Sequence, residues 1–126
     1  MKIGPKFVVR LSSFINMDKI SQVNLSKNSI GDKGVGLLMD WLRQNRTLVC
    51  LNLSSNEISS AGFIKIFETM SYNDSIIYLN LSTIEGANRN RLSKKALSKF
   101  KQMLIKNEFL ETLVLSSVNL GNDGLA

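Results

Sequence analysis

The feature that most constrains this chain is a repeat. Three segments stand in register 28 residues apart: Ile20-Ser-Gln-Val-Asn-Leu-Ser-Lys-Asn28-Ser-Ile30, Leu48-Val-Cys-Leu-Asn-Leu-Ser-Ser-Asn56-Glu-Ile58 and Ile76-Ile-Tyr-Leu-Asn-Leu-Ser-Thr83. A fourth, Leu110-Glu-Thr-Leu-Val-Leu-Ser-Ser-Val118-Asn-Leu120, starts 34 residues after the third. Excising Ile84 to Arg89 restores the period, because Asn90 and Leu92 then fall where Asn28 and Ile30 do. A unit this short cannot bury an apolar face alone, so the copies must stack on one another.

Each copy predicts a strand followed by a helix. The leucines at the fourth and sixth positions point inward from a short strand and meet the same positions of the next coil. The motif asparagine marks the turn away from the strand, where its amide can hold a neighbouring loop's backbone. Helical spacing follows: Val35, Leu38 and Leu42, then Phe63, Ile66 and Met70, then Leu97, Phe100 and Leu104. Phe7 and Phe14 hold the matching places one period earlier, which predicts a helix over residues 5–15. The expected domain is therefore single, 1–126, with a degenerate leading helix in 1–19. Repeats follow at 20–47, 48–75 and 76–109, with an incomplete one at 110–126.

The pattern L-x-x-L-x-L-x-x-N-x-L, with Asn28-Ser-Ile-Gly-Asp-Lys-Gly34 after the strand, resembles the ribonuclease-inhibitor-like leucine-rich-repeat family. The resemblance covers residues 20–126. It implies an α/β solenoid, with parallel strands on the concave side and helices on the convex side. Val118 in place of the motif Asn, and the six-residue insertion, depart from the pattern locally. The chain stops at Gly124-Leu125-Ala126, where a fourth helix is due. An uncovered last coil implies a fragment of a longer solenoid, or an end that associates with another chain.

Composition removes several function classes. The chain has no His and one Cys, Cys50, so His-activated nucleophiles, His-ligated zinc and internal disulfides are excluded. No catalytic residue, cofactor site or metal site is expected, and the reading is of a non-enzyme. No apolar run approaches the roughly 18 residues of a membrane span, and no signal peptide is legible. A cytoplasmic protein is the expectation. Sequons at Asn24, Asn45, Asn52, Asn73 and Asn80 read as by-products of the repeat in such a chain.

Two surfaces stand out. Alternation along the strands predicts three concave columns: Gln22, Cys50, Tyr78 and Thr112; Asn24, Asn52, Asn80 and Val114; and Ser26, Ser54, Ser82 and Ser116. This floor is polar and uncharged, with Tyr78 as its large anchor. Gln22, Asn24, Asn52, Tyr78, Asn80 and Thr112 are the candidate protein-binding residues. The net charge of +6 is also localised. Arg89, Arg91, Lys94, Lys95, Lys99, Lys101 and Lys106 fall between Gly86 and Asn107 with no acidic residue among them, and the rest of the chain is near neutral. Lys95, Lys99 and Lys106 share a helical face, predicted to lie outward. An acidic partner could dock there, whereas nucleic acid is disfavoured because nothing aromatic is interleaved for base stacking. Trp41 is expected to pack half-buried between helices.

The leading expectation is a protein–protein interaction module, part of an intracellular scaffold or sensor. By family analogy, the alternatives are a regulator of a small GTPase or of actin. Electrostatic attachment to an acidic or anionic surface through the third repeat is the alternative that differs in kind.

Overall fold

The structure, a computed structural model, describes residues 21–83, 89–116 and 118. The expected helix at 5–15, the inserted residues 84–88 and residues 119–126 lie outside this set. Four strands alternate with three helices: β1 Gln22–Asn24, α1 Gly31–Leu42, β2 Cys50–Asn52, α2 Ser60–Met70, β3 Tyr78–Asn80, α3 Lys94–Lys106 and β4 Thr112–Val114. The strands form one parallel sheet in chain order. Val23 pairs with Leu51, Leu51 with Leu79, and Leu79 with Leu113. The step from β3 to β4 absorbs the six inserted residues without loss of register, as the sequence alignment expects.

The motif leucines build the core. Leu48, Leu51 and Leu53 of one coil stack on Ile76, Leu79 and Leu81 of the next, with Ile30, Ile58 and Leu92 behind them, all buried. From the helices, Val35, Leu38 and Leu42 and then Phe63, Ile66 and Met70 close the other side. Phe67 sits between Phe63 and Phe100, with ring centroids 5.7 and 5.2 Å away. Burial of each such side chain contributes about 1.5–3 kcal/mol before entropy is counted. Trp41 is half-buried against this core, as expected.

Asparagines tie the coils together. Asn56 Oδ1 accepts from the backbone N–H of Asn28 (3.0 Å) and Ile30 (3.3 Å) in the preceding coil. Its Nδ2 donates to the carbonyls of Leu25 (2.8 Å) and Ser54 (3.1 Å). Asn90 repeats the arrangement, accepting from Asn56 and Ile58 and donating to Leu53, Leu81 and Ser82. The loops need this help. Lys27 and Ser29 flank Asn28, and Ser55 and Glu57 flank Asn56, all with φ between +52° and +60°. That conformation costs a non-glycine residue about 1–2 kcal/mol.

Val118 has no amide to continue the ladder, and Thr83 takes over. The Asn90 N–H donates to Thr83 Oγ1 at 2.9 Å, and the same hydroxyl donates to the Asn90 carbonyl at 3.1 Å. The base of the inserted segment is closed by this pair. A second asparagine series, Asn45, Asn73 and Asn107, shapes each helix-to-strand turn. Every member accepts from the N–H groups two and three residues ahead, at 2.7–3.1 Å. The sequence shows this series at the same 28- and 34-residue offsets, although its bonding becomes visible only in the fold.

Candidate interaction surfaces

The concave floor forms as two columns and not three. Gln22 registers with Cys50, Cys50 with Tyr78, and Tyr78 with Thr112. Asn24, Asn52, Asn80 and Val114 register likewise. Gln22, Asn24 and Thr112 are exposed, while Asn52, Tyr78 and Asn80 are half-buried. Cys50 is a free thiol, half-buried in the middle of the first column. The serine column is interrupted: Ser54 is 1% and Ser82 7% exposed, while Ser26 is half-buried and Ser116 exposed.

The strand-end asparagines are held rigidly. The Oδ1 of Asn24, Asn52 and Asn80 accepts the N–H of Ser26, Ser54 and Ser82, each at 3.0 Å. These Asx turns occupy the acceptor and leave the amide's NH2 for other partners, which at Asn80 include the Tyr78 hydroxyl. Tyr78 Oη lies 3.4 Å from Asn80 Nδ2. The result is a row of held amides on β1, β2 and β3, about 4.8 Å apart, with Val114 in the matching place on β4.

On the convex side α3 buries Ala96 and Met103, with Leu97 and Phe100 half-buried and Leu104 57% exposed. The expected stripe of Leu97, Phe100 and Leu104 is thus rotated outward. The matching stripes of α1 and α2 are buried, whereas α3 packs against α2 and, among the described residues, against no later helix.

The basic residues divide into two groups. Arg89, Arg91, Lys94, Lys95 and Lys101 are exposed and form no ion pair among the described residues. Lys99 and Lys106 turn back toward α2 and away from the expected outward face. Lys99 Nζ lies 3.7 Å from Glu68. Lys106 Nζ donates to Tyr72 Oη at 3.0 Å and sits 5.0 Å from the ring centroid. The hydrogen bond and charge of Lys106 lower the Tyr72 pKa from its ordinary 10.0.

Two openings in the surface were not legible in the sequence. One of about 420 Å³ lies between the C-terminal ends of α1 and α2, lined by Leu42, Arg43, Glu68 and Tyr72 among others. Another, of about 460 Å³, is lined by Ser60, Ser93, Lys94 and Lys95 at the N-terminal ends of α2 and α3. Among the described residues there is no group of three or more His, Cys, Asp or Glu that could hold a metal, and no helix is long and apolar enough to cross a membrane.

The comparisons with known proteins agree with the architecture. A family model described as "Leucine Rich repeat" matches residues 19–39 and 44–67. No curated protein matches the chain. Among solved structures, the actin-binding site 2 of leiomodin-1 superposes with a TM-score of 0.74 at 22% identity, over 90% of this chain and 64% of that one. The chain therefore spans less than two thirds of that neighbour. A Caenorhabditis elegans tropomodulin C-terminal domain superposes with a TM-score of 0.58 at 13% identity, over 89% of this chain and 82% of that one. None of these names the ribonuclease-inhibitor-like subtype. Repeat, parallel register and likeness converge: residues 19–39 and 44–67 match the leucine-rich-repeat family model, and the chain folds as an α/β solenoid of such repeats.

Proposed function

We propose that this chain is a non-enzymatic protein-interaction module of the cytoplasm that reads its partner with the concave sheet. The observation that carries the reading is the row of amide donors at Asn24, Asn52 and Asn80, locked by their Asx turns beside the half-buried Tyr78. A preoriented donor needs no reordering on contact, which lowers the entropic cost of binding. Tyr78 adds a large contact area with little rotamer freedom to lose. The floor carries no charge, so the matching partner presents uncharged acceptors and its binding depends little on salt.

Actin is the partner to test first, because the leiomodin-1 structure is of an actin-binding site. Binding to monomeric actin and co-sedimentation with filaments measure it directly. Asn52→Asp keeps an acceptor for the Ser54 N–H and removes the amide donor, while Tyr78→Ala removes the anchor. Both are expected to weaken a bound partner about tenfold without lowering the melting temperature by more than a few degrees. The concave assignment fails if a partner bound by the native chain ignores both changes. Actin fails as that partner if neither form binds the native chain.

A further inference from the structure

α3 differs from the helices before it. α1 and α2 each carry both acidic and basic residues, whereas α3 has five lysines and no carboxylate. Lys94, Ser98, Lys101 and Ile105 recur at i, i+4, i+7 and i+11 and are all exposed, forming its outward line. Two of these lysines, with Lys95 beside them, have no ion-pair partner among the described residues. At the C-terminal end of this line Ile105 is 80% exposed, one turn from Lys101, while Lys94 and Lys95 occupy the first turn. Glu108 and Glu111, the nearest acidic residues in sequence, lie beyond the helix end.

A line of unpaired lysines that ends on the protruding Ile105 calls for a partner that is anionic at its surface and apolar just beneath. We propose that the outward face of α3 is a peripheral attachment site for an anionic lipid surface. Its lysines sit at headgroup phosphates, and Ile105 enters the boundary of the acyl region. An RNA would engage the lysines but leave Ile105 in water. The charge is complementary to the cytoplasmic leaflet, with Lys94, Lys95 and Lys101 exposed and outside any ion pair among the described residues. This inference is independent of the concave reading, since it uses none of the same residues.

The full chain is sedimented with vesicles of phosphatidylcholine alone and with phosphatidylserine added, across a salt series. Parallel arms use single-stranded RNA and polyglutamate. Sedimentation that requires phosphatidylserine and fades with salt is expected. Lys94→Gln and Lys101→Gln should each weaken it roughly fivefold. Ile105→Ser should weaken it about tenfold and leave the melting temperature unchanged, because that side chain is exposed. No phosphatidylserine-dependent sedimentation at low salt overturns the proposal. So does an Ile105→Ser variant that binds vesicles as well as the native chain, or RNA or polyglutamate binding as tight as vesicle binding.

Discussion

Asn56 shows how much one side chain can carry in a stacked fold. It is fully buried and completes two N–H groups and two carbonyls from two coils. Asn56→Ala strands those groups where water cannot reach them. A loss of at least about 3 kcal/mol is expected in denaturant unfolding. The glycines make a second, contrasting test. Gly31 enters α1 at φ +69°, yet a methyl group there would meet nothing within 4 Å. Gly31→Ala should therefore cost only the left-handed backbone, about 1 kcal/mol. A methyl group at Gly62 would run into Asp32 Oδ1 and lie 2.6 Å from Ile58 Cγ2. Asp32 is already committed, accepting from the Ser59 N–H at 2.7 Å. Gly62→Ala should cost more, about 2–3 kcal/mol, and paired thermal melts order the two. The next repeat has Ser60 where Asp32 stands and Ala96 where Gly62 stands, a joint exchange consistent with this account.

At the scale of elements, α3 has the charge pattern least suited to its own dipole. Lys94 and Lys95 lie in its first turn, where the helix dipole favours negative charge, and Ser93 makes no capping bond through its side chain. Lys106 in the last turn has the favourable sign. Lys94→Glu is expected to stabilise the protein by about 0.5–1 kcal/mol in thermal unfolding. The same change should weaken attachment to anionic vesicles. A helix that gives up stability to keep lysines at its positive end suits a surface role, and unchanged stability in Lys94→Glu would remove that argument. Spacing alone placed Leu104 in the core stripe. Its exposure came from the absence of a packed helix on the far side among the described residues, which helical periodicity within α3 cannot report.

For the whole molecule, the absence of His has a measurable consequence. No side chain in the sequence has an ordinary pKa between about 5 and 8. The melting temperature should therefore be nearly flat across that range, and a shift of several degrees would show an unrecognised titration. Among the described residues Tyr72 is the group that does move, its pKa lowered by the Lys106 hydrogen bond and charge. A depressed pKa favours the ionised form in the folded state. That contribution is present above the unfolded value near 10 and is lost as pH falls through the folded one, so it is nil at neutral pH. Calorimetry between neutral and alkaline pH, with Lys106→Met as the control, checks both halves of the expectation.

Periodicity alone determined the coil length, the strand register, the inward leucines, the helical stripes of α1 and α2, and the place of the insertion. Stacked identical units force such features, because a residue at one position must meet its equivalent in the next coil. The alignment of Asn24, Asn52 and Asn80 across neighbouring strands was legible for the same reason. Other features depend on where elements end and on what lies across from them. The burial of Ser54 and Ser82, the substitution of Thr83 for a missing amide, the return of Lys99 and Lys106 to α2, and the exposure of Leu104 and Ile105 are of this kind. Those contacts link residues 7 to 34 apart through space, and only tertiary packing decides which side chain fills which place.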